Sequence, residues 1–256
     1  MMGKMVKGYY VPSGILLIWL VGSWLNLWSA YIIPQPDALL LAGYKLLAEG
    51  TLLKHVFVST YRVAAGFMAA CLVALPLGFF LGINQRYNAY IQPTLEFIRH
   101  VPPLAAMPML ILWFGIGEPS KLLIVVLASF FPVFLNTLDG VVRCDRKLIE
   151  VGASFGLRQK NLVRRIIIPA ALPSVLVGMR LGLGYSWRAL VGAELVAASS
   201  GIGYMILDAE QLARTDIVLL GILTIGIVGS VADHLFFRLT KQVIPWKEEE
   251  ADYGRG

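Results

Sequence analysis

Charge is what this chain has least of: 16 acidic and 22 basic residues among 256 amount to 15%, where a soluble domain usually carries about 25%. Together with a hydrophobic content of 57% and a mean hydropathy of +0.71, this leaves more apolar surface than one aqueous core could hide. Lipid must therefore solvate most of the chain. Cysteine is almost missing too. Cys71 lies in an apolar run and Cys144 in a basic loop, opposite environments that predict no disulfide. The three histidines include no two at metal-ligand spacing, so no metal is expected. No Gly-x-x-x-x-Gly-Lys-Ser/Thr loop occurs, so the chain should not hydrolyse ATP. There is no His-Glu-x-x-His, nucleophile elbow or Cys-x-x-Cys either, which makes a membrane enzyme a poor reading. The net charge of +6 comes without an aromatic–basic motif, so nucleic acid is not an expected partner. Neither an internal repeat nor a soluble domain is evident.

What is present is a series of apolar runs. Six approach the roughly 20 residues needed to cross a hydrocarbon core, near 12–32, 57–83, 92–116, 120–142, 172–198 and 216–240. Lys4 and Lys7 precede the first, which lacks a small-x-small cleavage site and reads as a retained anchor. The third contains Pro102, Pro103 and Pro108, so it should face protein or a lined pathway, where freed carbonyls find partners. With the N-terminus inside, fourteen Lys and Arg fall on inner segments against five on outer ones (Lys45, Lys54, Arg62, Lys121, Arg214), which places both termini in the cytoplasm. Residues 33–56 are apolar at helical spacing but too polar to span, and predict an amphipathic helix on the outer surface. The tail KEEEADYGRG reads as disordered.

One polar stretch interrupts the pattern: EVGASFGLRQKNLVRRIIIP, Glu150 to Pro169, between the fourth and fifth spans. Asp145 can cap a helix there and Gly156 can end it in a left-handed conformation. Leu148, Val151, Gly152 and Phe155 recur at i, i+3, i+4 and i+7 and predict one apolar face. A helix about 15 Å long is too short to be stable alone and needs a docking partner. Spacing alone leaves a second reading open, in which Arg158, Lys160, Arg164 and Arg165 anchor the loop to anionic headgroups.

The order of these residues resembles the EAA loop of importer permeases in the ATP-binding cassette superfamily. Glu150, Gly156, Ile166 and Pro169 match its pattern, while Val151 and Gly152 stand at the two alanines and Ile168 at the leucine. VSTYRVAAGF, HVPPLAAMPMLILWFGIGEPSK, LPSVLVGMRLGLGYSW and AELVAASSGIGYMI extend the likeness over roughly residues 50–246 and resemble the branch importing nitrate, sulfonates, taurine and bicarbonate, the aliphatic sulfonate permeases above all. The resemblance implies that Glu150, Val151, Gly152, Phe155, Gly156 and Pro169 couple the chain to a separate ATPase. It also implies a second copy of the chain, two ATPase subunits that bind the ATP and Mg, no cofactor in this chain, and an extracytoplasmic solute-binding protein.

Charges in the fifth span invite a substrate reading. Arg180 near the inner leaflet has two: a pathway role, or snorkelling and pairing with carbonyls. Arg188 lies deeper and would compensate a crossing anion, unless it pairs with Glu96 or Asp139. Glu194, before LVAASSGIGY, could gate the outer mouth, contact a binding protein or sit solvated at a helix end. Trp187, Trp113 and Phe114 are candidates to line the path or to pack as core. His100 is a candidate for the route, with His55 and His234 at interfaces. Gly178 and Gly182 form a Gly-x-x-x-Gly step that lets another helix approach closely. A rival reading is an ion-coupled secondary carrier using Glu194, Asp139 and Asp233.

The expectation is an all-α polytopic membrane protein with about six transmembrane helices and, by resemblance, a type I importer permease fold in a bacterial inner membrane. Residues 1–49 would form an N-terminal anchor and outer amphipathic segment, 50–246 the permease domain with its coupling loop at 143–171, and 247–256 a cytoplasmic tail.

Overall fold

The computed structural model describes residues 2–244, with side chains from residue 10. The acidic tail, and the side chains of Lys4 and Lys7, lie outside the described residues. Eleven α-helices follow in order among the described residues: α1 (Met2–Trp24), α2 (Pro36–Ala48), α3 (Thr51–Ile83), α4 (Gln85–Arg99), α5 (Met107–Phe114), α6 (Glu118–Val142), α7 (Arg146–Ser154), α8 (Gln159–Leu162), α9 (Ile168–Ala197), α10 (Ile202–Gln211) and α11 (Thr215–Val243). A 3-10 turn (Pro103–Ala106) precedes α5 and a π-helical turn (Val163–Ile167) joins α8 to α9.

Among the described residues, four helical runs are long and apolar enough to cross a membrane: Thr51–Ile83, Glu118–Val142, Gln159–Ala197 and Thr215–Val243. The two remaining spans expected from hydropathy take different forms. The first is shorter than the expected 12–32, since α1 ends at Trp24 and turns follow, leaving an apolar stretch of Tyr10–Trp24. The third is broken: Gln85–Arg99 and Pro103–Phe114 meet at 83°. Two adjacent prolines cause this, because Pro102 and Pro103 supply no N–H and push the preceding backbone out of the helical region. The expected amphipathic helix at 33–56 is also shorter, α2 ending at Ala48 and α3 starting at Thr51.

The chain divides into two compact units, residues 1–58 with 199–226, and 59–198 with 227–256. In the first, Trp19 Nε1 donates to the Pro34 carbonyl at 3.1 Å, and α10 packs on the start of α11, where Gly221 meets Ile206. His55, expected at an interface, is buried here and accepts from the Gly201 N–H at 3.0 Å.

In the second unit α6 packs against both α3 and α9. Small residues make this possible. A Cβ at Gly78 would lie 2.8 Å from Thr137, and one at Gly178 would lie 2.8 Å from the Pro132 carbonyl. Such seams let helices associate by close backbone contact where lipid removes any hydrophobic drive. Polar side chains along the seams are satisfied within their own helices: Ser129 donates to Val125 O at 2.6 Å, Thr137 to Val133 O at 2.7 Å and Asn136 to Pro132 O at 2.8 Å. The core between α3 and α6 gathers Phe67, Cys71, Ala74, Leu81, Val133 and Phe134. Both cysteines are free and buried.

Candidate functional site

The polar stretch forms α7. Asp145, extended at φ −60° and ψ 120°, accepts from the Lys147 N–H and caps the helix at its N-terminus. At the other end Gly156 sits at φ +76°. Its N–H donates to Ala153 O at 2.9 Å and the Leu157 N–H donates to Gly152 O at 3.1 Å, the paired bonds of a Schellman stop.

The four residues expected on one face divide between two. Leu148, Val151 and Phe155 point outward, and Phe155 is 84% exposed. Gly152 is buried, and a Cβ there would come within 2.4 Å of Ile166 and 2.7 Å of Leu162. Ile149 packs against the cluster of Val141, Cys144, Ile167, Ala171 and Val175. On a wheel of about 100° per residue, the three outward residues span about 60° and Gly152 lies about 40° beyond, toward Ile149. Val151 therefore belongs to the exposed stripe, and Gly152 is what lets the loop fold back under α7. Glu150 is exposed, about 100° round the helix from Val151.

Pro169 stands in the first turn of α9. Having no N–H, it cannot bond the Arg165 carbonyl, and the preceding turn widens, with the Ile168 N–H reaching Val163 O. The basic residues Arg164 and Arg165 thus belong to the same helical run that enters α9, Gln159–Ala197.

The charges of α9 have distinct partners. Glu194, expected at the outer mouth or solvated, is fully buried. It accepts from Ser59 Oγ at 2.9 Å and from Arg62 Nη1 at 2.8 Å. Arg62 also donates from Nε to Glu118 at 2.7 Å, and Lys121 Nζ lies 3.1 Å from the same carboxylate. A charge at membrane depth costs at least ~2.5–3.5 kcal/mol unless paired, and here two cations and two anions from α3, α6 and α9 neutralise one another. Hydropathy alone missed this cluster. Arg62 counted as an outer-loop charge, although it lies inside the 33-residue α3.

Arg180 pairs with a carboxylate and not with carbonyls. Its Nε and Nη2 meet Asp233 at 2.7 and 2.6 Å, and it covers the Phe237 ring at 5.0 Å. Trp187 is buried among its neighbours. His100 is exposed at the α4 break, where its Nδ1 contacts the Glu96 carbonyl at 2.6 Å. Trp113 and Phe114 are exposed on α5.

Arg188 differs from all of these. Neither expected partner engages it: Asp139 pairs with Arg143 and Glu96 bonds Gln92. Among the described residues it meets no carboxylate, and its guanidinium lies 5.3 Å from the Tyr185 ring centroid. It lines a cavity of about 680 Å³ formed by the end of α4, the 3-10 turn, α6 and α9, with Arg99, Phe131, Leu135, Asn136 and Leu181 among the other walls. Of the path candidates, Arg188 alone is among the residues that line this cavity.

An all-helical chain with several spans, a short polar helix outside them and a cation-bearing cavity between helices has the makings of a solute-transport subunit. The chain belongs to the family of binding-protein-dependent transport system inner membrane components, whose model matches residues 74–246. It is 39% identical over 242 residues to the protein assigned as the aliphatic sulfonates transport permease SsuC of Bacillus subtilis, covering 94% of this chain and 88% of that one. It is 35% identical over 240 residues to the taurine transport system permease TauC of Escherichia coli, covering 92% and 87%. Its fold is that of the MetNI methionine ABC transporter in an inward-facing conformation, at a TM-score of 0.60 over 74% of this chain and 96% of that one, with 15% identity. The chain is thus a multi-pass permease subunit with the type I importer permease fold.

Proposed function

We propose that the chain passes a small organic anion, an aliphatic sulfonate first of all, across the bacterial inner membrane as one half of a permease homodimer. A separate ATPase subunit docks on each copy of α7, and a solute-binding protein delivers the cargo from outside. Residues 50–246 form the transporting part, 143–171 its coupling loop, and both termini lie in the cytoplasm. ATP and Mg are bound by the ATPases. One copy has too few spans to enclose a path, so the route runs along the two-fold axis.

The observation that carries this reading is the exposed stripe Leu148–Val151–Phe155 on a helix capped at both ends. Free apolar side chains on so short a helix need a partner. ATP binding draws the ATPases together and moves both α7 helices, and the bundles follow as rigid bodies. The likeness to the sulfonate and taurine permeases supports this substrate, as does a cavity whose Arg188 meets no carboxylate among the described residues. Taurine, nitrate and bicarbonate are the alternatives.

An ion-coupled carrier is the rival. Each acid it would use is held by an arginine: Glu194 by Arg62, Asp139 by Arg143 and Asp233 by Arg180. Proteoliposomes holding the permease, its ATPase and the binding protein separate the two. Uptake should stop when ATP is removed with ion gradients maintained, and uptake that continues refutes the ATP-driven reading.

A further inference from the structure

The walls of the Arg188 cavity carry a second specification. Its volume of about 680 Å³ falls within the ~300–1,000 Å³ typical of sites for organic molecules and exceeds what nitrate or bicarbonate could fill. α6 contributes Leu127, Phe131 and Leu135 at i, i+4 and i+8, one stripe about 12 Å long at ~1.5 Å per residue. Leu181, Tyr185 and Arg188 form the facing stripe of α9 at i, i+4 and i+7. The two helices run in opposite directions past each other: Gly178 abuts Pro132 and Asn136, Gly182 abuts Ser129 and Val133, and Ala189 shares a cluster with Ala128. Arg188 therefore stands toward the Leu127 end, and Leu181 toward the Leu135 end.

On the reading that this cavity lies on the transport route, the geometry points to a two-part site in the permease itself. Arg188 takes the anionic head of the solute. The stripe Leu127–Phe131–Leu135, closed by Leu181, takes an unbranched organic tail. An inorganic anion satisfies the first part and leaves the second unfilled, whereas an alkanesulfonate satisfies both. The subunit thus adds its own preference for amphiphilic organic anions to that of the binding protein.

The test uses the permease–ATPase complex in nanodiscs of zwitterionic lipid without the binding protein, so that only the permease selects. Binding of methane-, propane-, pentane- and heptanesulfonate and of nitrate is measured by calorimetry. Affinity should rise two- to fourfold per added methylene, about fourfold being the value for a fully buried one, with nitrate weakest. Leu181→Trp should flatten the rise for the longer tails while methanesulfonate binds within twofold of the native complex. Arg188→Gln should weaken every sulfonate by about tenfold or more and leave the slope with tail length intact. An affinity independent of tail length, no measurable binding, or a slope untouched by Leu181→Trp overturns the two-part site. So does Arg99→Gln abolishing binding where Arg188→Gln does not. Loss of binding when phosphatidylglycerol replaces the zwitterionic lipid assigns the cavity to lipid and overturns it as well. The underlying reading fails separately, if the full system with binding protein and ATP takes up no sulfonate.

Discussion

Replacing Arg62 by glutamine removes the cation from a carboxylate that has no contact with solvent. Glu194 is 0% exposed and Arg62 is 1% exposed. In Arg62→Gln the carboxylate keeps the Ser59 hydroxyl but loses its charge partner at 2.8 Å. Breaking a buried pair from one side costs ~3–5 kcal/mol, mainly because the surviving charge stays desolvated. For a chain of this size each kcal/mol lowers Tm by ~2–4 °C, so Arg62→Gln should unfold ~6–20 °C earlier. Glu194→Gln should cost less, ~1–3 kcal/mol, because Arg62 keeps its two hydrogen bonds to Glu118. Glu118→Gln should cost least, ~0–1 kcal/mol, since that side chain is 52% exposed and water screens its pairs. The assay is the fraction of purified complex that stays monodisperse after heating, read by size exclusion across a temperature series. Three equal shifts, or a larger loss in Glu118→Gln than in Arg62→Gln, would refute the assignment of Arg62 as the centre of the cluster.

Other perturbations address α7 and the route. Gly156→Val forces a β-branched residue into a left-handed backbone at φ +76°, a strain of ~1–3 kcal/mol; ATPase activity should continue while uptake falls, and intact coupling counts against α7 as the docking element. Gly152→Leu should detach α7 from Leu162 and Ile166 and lower assembly with the ATPase, measured by co-purification, whereas Val151→Ala should leave the α7 fold intact and change only the strength of docking. Cys144 is held above the ordinary thiol range, by burial first and by the charge of Asp145 second. Its reactive thiolate is therefore scarcer than usual at neutral pH, so maleimide labelling should be slow at pH 7, rise as pH passes above the ordinary thiol range, and stay well below that of an introduced Phe155→Cys.

Hydropathy and punctuation made most of the fold legible, since the spans are apolar runs and most breaks carry Pro, Gly or Asn, those at 143–145 and 212–214 excepted. Direction was not legible in the same way. A window average treats 92–116 as one run, but Pro102–Pro103 turns it through 83°, and that turn is what brings the 3-10 segment to the wall of the cavity. Pairing was hidden for a different reason. Arg62 is separated by 132 residues from Glu194 and by 56 from Glu118, and no local periodicity reports a contact at that distance. Burial was hidden in the same way: Glu194 and Trp187 are buried among neighbouring helices, whereas Arg188 meets no carboxylate among the described residues and lines the cavity.

The α7 stretch shows how far a helical wheel reaches. Apolar spacing grouped Leu148, Val151, Gly152 and Phe155, and about 100° of arc does contain them all. What spacing lacked was the direction from which the rest of the chain arrives. The chain returns through α8 and the π-helical turn, so Leu162 and Ile166 come to lie over Gly152, at the edge of the arc nearest Ile149. A glycine there is a packing requirement of this chain's own loop, and a bulkier Val151 costs the loop nothing because it faces away. The departures from the EAA pattern at these two positions therefore act on different surfaces. Gly152 sets how closely α7 rides on its own bundle, and Val151 changes only the shape offered to a partner. An ATPase that fits this chain should present a groove with room for a valine and for the exposed Phe155, and exchange of Val151 for alanine should loosen that fit without loosening α7 itself.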